Sequence, residues 1–126
     1  MVNHSLHTIM LAEDDPTMLV LLKTLLEIEG FQVKTFSGRT QADLVDHLDL
    51  EKPDVLLMDV HMHHLNGVDA LRALRQKQDL KYLQVIMTSG SDVNDQCLKE
   101  GANAFLMKPF MPDTLIKLIN QQLSNS

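Results

Sequence analysis

The chain of 126 residues holds a single cysteine, Cys97, so no disulfide forms within it. A reducing compartment is the natural expectation. Basic residues are outnumbered, 11 Lys and Arg against 17 Asp and Glu, giving a formal net charge of −6. That balance argues against direct nucleic-acid binding, which ordinarily shows a basic patch. No apolar run approaches the length of a membrane span. The N-terminal Met1-Val2-Asn3-His4-Ser5-Leu6-His7 lacks the basic start and apolar stretch of a signal peptide. A cytoplasmic protein is expected. No repeat, linker or low-complexity segment is present, and only Leu123-Ser124-Asn125-Ser126 reads as frayed. The length implies one domain, 1–126, and the 44% hydrophobic content suffices for a core.

What is present is an alternation of short apolar runs with helical patterns. Strands are predicted at 8–12, 32–36, 54–58, 84–88 and 103–107, and helices at 17–29, 39–50, 67–77, 92–100 and 112–123. Gly30 and Gly101 end helical patterns, and Pro16 stands where a first helical residue belongs. Strict β/α alternation implies a parallel sheet with helices on both faces, right-handed crossovers, and a site at the carboxyl ends of the strands.

The strand ends carry polar groups in a telling order. Ile9-Met10-Leu11-Ala12 runs into Glu13-Asp14-Asp15, and Val55-Leu56-Leu57-Met58 into Asp59. Ile86-Met87 leads to Thr88-Ser89-Gly90, and Ala104-Phe105-Leu106-Met107 to Lys108-Pro109-Phe110. An acid group, a single acid, a hydroxyl and an ammonium on one sheet edge suit phosphoryl chemistry. Asp59 is the candidate acceptor. Asp14, Asp15 and Asp59 are expected to hold Mg²⁺, with Mn²⁺ as a substitute, through oxygen ligands. Lys108 is expected to pair with Asp59 at rest and with a phosphoryl oxygen afterwards. Thr88 is expected to donate its hydroxyl, and the small Ser89 to leave the approach open. A plainer reading makes Asp15, before Pro16, the cap of the following helix.

In these pieces the chain resembles the receiver domain of two-component response regulators, the chemotaxis-regulator type. The matching residues are Glu13-Asp14-Asp15, Asp59, Gly67, Thr88-Ser89-Gly90, Gly101-Ala102 and Lys108-Pro109-Phe110. The resemblance implies an α/β, flavodoxin-like, doubly wound five-stranded sheet of order 2-1-3-4-5. It implies that Asp59 accepts a phosphoryl group from a phosphohistidine on a sensor histidine kinase or histidine phosphotransfer protein. It further implies that the His61 carbonyl is a metal ligand, Phe105 the switch aromatic beside Thr88, and Lys108-Pro109 a cis peptide.

Departures from the family pattern are visible too. The family usually has proline where His63 stands, and its loss is expected to loosen the loop after Asp59. Phe105 lacks the hydroxyl often found there, so a switch would work by ring burial. His61 and Gly90, two residues past Asp59 and Thr88, are expected to set the lifetime of the phosphorylated state. His61, His63 and His64 also admit a transition-metal reading, although no cysteine lies near. Cys97, on a helical pattern, reads as a buried small hydrophobe.

Helix one places Met18, Leu21, Leu22 and Leu25 at sheet-facing spacing and leaves Leu19 and Val20 apolar as well. With Met62, Met111 and Pro112 these suggest a docking surface for the phosphodonor, where a charge at Leu19 would slow transfer from the partner alone. The last helix, Thr114 to Asn120, lacks the arginine-bearing pattern of the DNA-binding branch, which slightly lowers the expectation of a DNA-binding output domain. Downstream, a partner protein or output domain would read the state of the domain. Two rivals are a receiver-fold adaptor that works without phosphorylation and a flavodoxin-like or hydrolase activity. The acid, hydroxyl and lysine set disfavours the first. The second lacks a Gly-rich loop after strand one, where Asp15-Pro16-Thr17 stands.

Overall fold

A computed structural model describes residues 7–125. Residues 1–6 and Ser126, on which the reading of the N-terminal segment and of the last residue partly rests, lie outside the described residues. The elements alternate as expected: β1 (Thr8–Ala12), α1 (Pro16–Ile28), β2 (Gln32–Thr35), α2 (Gln41–Glu51), β3 (Val55–Asp59), α3 (Gly67–Arg75), β4 (Gln84–Ser89), α4 (Asn94–Lys99), β5 (Ala104–Met107) and α5 (Pro112–Ser124). A short 3₁₀ turn, Gln78–Leu80, was not foreseen. All strand pairs are parallel, in the order β2-β1-β3-β4-β5.

Period-two alternation splits the interior between the two faces of the sheet. Ile9, Leu11, Val55, Leu57 and Ile86 pack with Leu22 and Leu26 of α1 and Leu115 and Ile119 of α5. Met10, Leu56, Met58, Val85 and Met87 pack on the other face with Leu44, Leu48, Leu71, Leu74 and Cys97 from α2, α3 and α4. β1 and β3 are covered on both sides, which explains their unbroken apolar runs.

Helix boundaries follow local chemistry. Asp15, Thr40 and Asn66 cap α1, α2 and α3 by accepting from first-turn amides. Gly30 and Gly101 take φ of 100° and 110° just past α1 and α4, where only glycine sits without strain. Helix α4 is shorter than predicted because Val93 has non-helical backbone angles. Helix α5 continues through Leu123 and Ser124, which were expected to fray. Of the four α1 positions expected to face the sheet, Leu22 is buried and Met18 and Leu25 pack partly buried against the core, whereas Leu21 is 60% exposed and Leu26 is buried instead.

Candidate functional site

The site grows out of strand register. Ala12, Met58, Met87 and Phe105 lie in one row across β1, β3, β4 and β5. The next row toward the carboxyl edge holds Asp59, Thr88 and Leu106, and Glu13 follows Ala12 beside Asp59. Glu13, Asp59 and Thr88 are all buried. Lys108 sits two residues past Leu106, its amide donating to the Ser89 carbonyl at 2.8 Å. Its ammonium reaches back to Asp59 Oδ2 at 2.8 Å and Glu13 Oε2 at 3.0 Å. The pairing expected of Lys108 at rest is therefore present, and the Lys108-Pro109 bond is cis as expected.

The acid pair requires a correction. Asp15 does not enter the pocket: its Oδ1 accepts from the amides of Thr17 and Met18 and is committed to the start of α1. Glu13 takes the inner place, because the register carries it alongside Asp59. Asp14 lies at the rim, its Oδ2 accepting from the His63 amide at 2.6 Å. Asp59 Oδ1 accepts from the His61 amide at 3.1 Å, so both carboxylate oxygens of Asp59 have fixed donors.

Electrostatics follow from this crowding. Burial pushes the Glu13 carboxyl above its ordinary range, against the lowering effect of the Asp15 amide and of Lys108. Burial also opposes the charge on Lys108, but hydrogen bonds to Asp59 and Glu13 outweigh it and leave its pKa above the ordinary lysine value. Cys97 is buried, and its thiol pKa is raised by that burial, which matches the expected inert hydrophobe.

The β3–α3 loop has an anchor at His63, the position where loosening was expected from the absent proline. The missing proline restores an amide donor, and that donor ties the loop to Asp14. Leu65 is buried and Met62 packs on the α2–α4 side of the core, while His61 bridges Asn66. Gly67 follows, its amide bonded to the Val60 carbonyl at 2.8 Å. A Cβ there would collide with the Asp59 carbonyl and with Val60 Cα, so a larger residue would displace the backbone beneath Asp59.

Donor chemistry fits a hard divalent cation. Glu13, Asp14 and Asp59 offer carboxylate oxygens, and among the described residues Lys108 is the cation bonded to two of them, so negative charge is in excess at the strand ends. Among the described residues, no three His, Cys, Asp or Glu side chains stand together as a metal centre. Mg²⁺ is compatible with that, because it is usually held by one or two carboxylates and retains several waters. His61, His63 and His64 likewise form no three-residue cluster among the described residues.

Phe105 is half-buried against the α2–α4 side of the core, and Gly90 faces open space. The docking residues separate into two groups. Leu19 and Met62 line a cleft of about 290 Å³ beside Glu13 and Asp14. Met18, Leu21, Leu22 and Leu25 line a second groove of about 300 Å³ with Lys108, Pro109, Phe110 and Pro112. Val20 and Met111 are exposed, at 63% and 69%. Sequence reasoning missed the part played by Leu21, Pro109 and Phe110 in this groove. The only available signal was the apolar excess of α1.

A doubly wound sheet with acids, hydroxyl and lysine gathered at its carboxyl edge is the arrangement of a receiver-type signalling domain. The sequence matches the family model of the response regulator receiver domain over residues 9–120. The chain belongs to that family, a component of two-component signalling systems. It is 37% identical over 123 residues to the transcriptional regulatory protein CpxR of Escherichia coli, covering 96% of this chain and 51% of CpxR. It is 34% identical over 119 residues to protein PilH of Pseudomonas aeruginosa, covering 92% of this chain and 97% of PilH. It thus spans about half the length of CpxR and nearly all of PilH. Among solved structures it is similar to the signal receiver domain of a signal transduction histidine kinase from Syntrophus aciditrophicus. That match has 33% identity and a TM-score of 0.82, covering 94% of this chain and 91% of the other. No helix among the described residues is long and apolar enough to cross a membrane.

Proposed function

We propose that Asp59 is the phosphoacceptor of a two-component phosphorelay, charged by a phosphohistidine on a sensor histidine kinase or histidine phosphotransfer protein. The observation that carries this reading is the Lys108 ammonium 2.8 Å from Asp59 Oδ2, brought there from a different strand end. A carboxylate oxygen of Asp59 attacks phosphorus, the phosphorus–nitrogen bond breaks, and the departing imidazole keeps its electron pair. Mg²⁺, with Mn²⁺ as a substitute, would be held by carboxylates from among Glu13, Asp14 and Asp59 with the His61 carbonyl as a further donor, and would supply charge neutralisation for the transferring group.

The chain's own residues do the positioning. The His61 amide and Lys108 orient the acceptor carboxylate. Once Asp59 is esterified, Lys108 turns to a phosphoryl oxygen, and the Thr88 hydroxyl takes another. Thr88 moves inward, Phe105 buries further, and a downstream protein or output domain reads the altered face. The chain promotes its own phosphorylation and slow hydrolysis, and it is otherwise a signalling domain rather than a metabolic enzyme. The α1 groove receives the phosphodonor protein.

Incubation with Mg²⁺ and acetyl phosphate, read by intact mass, tests the proposal. A metal-dependent gain of one phosphoryl group is expected in the wild type and not in Asp59→Ala. No gain in the wild type, with beryllofluoride leaving Thr88 and Phe105 unmoved, would favour an adaptor that works without phosphorylation.

A further inference from the structure

Three carboxylates stand at the metal-facing edge, and they are held in different ways. Glu13 and Asp59 are buried and share Lys108. Asp14 is about one-third exposed, and among the described residues it has neither Lys108 nor another acid as a bonded neighbour. Its hydrogen-bond partner is the His63 amide at 2.6 Å, on a loop 49 residues away in sequence. That distance is at the short end for an amide donor on a carboxylate, where charge strengthens the bond.

The amide is presented from a braced segment. Met62 and Leu65 are set into the core on either side of His63, and His61 bridges Asn66 across the loop. The His63 ring contributes little to this, since it is 87% exposed and its Nε2 lies 3.9 Å from Asp14 Oδ2. The backbone, not the imidazole, grips the acid.

We infer that the His63 amide holds Asp14 at the rim through Oδ2, so that a divalent cation and this amide compete for that carboxylate oxygen. The inference rests on the proposed Mg²⁺ reading and refines it. Mg²⁺ demands near-ideal geometry and strips its water reluctantly, so a ligand engaged elsewhere lowers its affinity. Metal occupancy and the anchoring of the β3–α3 loop are then linked: binding one releases the other.

Because the donor is main-chain, two substitutions at one position separate the possibilities. His63→Ala keeps the amide, and His63→Pro removes it. Calorimetric titration with MgCl₂ alone is expected to give about tenfold tighter binding for His63→Pro. His63→Ala is expected to stay within about twofold of the wild type. In the wild type, the His63 amide resonance should move upfield and exchange faster with solvent as Mg²⁺ saturates. This second measurement needs no variant. Equal or weaker binding by a folded His63→Pro, or a His63 resonance indifferent to Mg²⁺, overturns the competition. Tightening by His63→Ala as well would assign the effect to the imidazole and also overturn it. A wild type that binds no Mg²⁺ at all fails earlier, and takes the metal reading down with it.

Discussion

Glu13 sits at the centre of the pocket with a carboxyl that burial makes reluctant to ionise. Its folded-state pKa lies above its ordinary value of 4.5, so the folded chain retains this proton to higher pH than the unfolded chain. Stability from this group is therefore full at low pH and falls as pH rises from about 4.5 through the folded value. Urea denaturation without metal is expected to show the wild type losing ground to Glu13→Gln over that window. A stability difference that is flat with pH would contradict the assignment. The role of Glu13 was half legible in the sequence. Three acids in a row follow β1, and side-chain type alone does not rank them. The discriminating signal was local: Asp15 before a helix-starting Pro16 reads as a cap, which leaves the two residues nearer the strand for the pocket.

Helix α1 shows the same limit at the level of an element. Its start and end were plain from Pro16 and Gly30, but Met18 through Leu22 is a continuous apolar run, and periodicity cannot choose one face of it. The buried stripe runs through Leu22 and Leu26 with Met18 and Leu25 packed partly buried beside it, so that of the expected face only Leu21 turns outward. Leu26→Ala is expected to cost about 2–5 kcal/mol in urea unfolding, since its side chain is wholly enclosed. Leu21→Ala should change stability by about 0.5 kcal/mol or less. Comparable losses at both positions would mean that α1 is rotated from the orientation described. The strands were easier, because β1 and β3 are covered on both faces and so appear as unbroken apolar runs ending in acids. The β3–α3 loop was the least legible. A hydrogen bond from a main-chain amide leaves no mark in residue types beyond the absence of proline at His63.

Across the whole molecule, the apolar surface left on α1 lies along the groove that leads to Lys108. A protein donor that docks there brings its phosphohistidine to the acid edge, whereas a small phosphodonor needs no such surface. Leu21→Glu is expected to slow transfer from a phosphotransfer protein at least about tenfold and to leave acetyl phosphate labelling unchanged. Equal slowing with both donors would sink the docking role. The sheet itself has a further consequence. The α1 groove opens over the α1–α5 half of the core, and Phe105 rests on the α2–α4 half. On the proposed function, the five strands partition a side that is written from a side that is read. A donor engaged on the first would leave the second uncovered, so a reader could assemble on the domain before its writer has left.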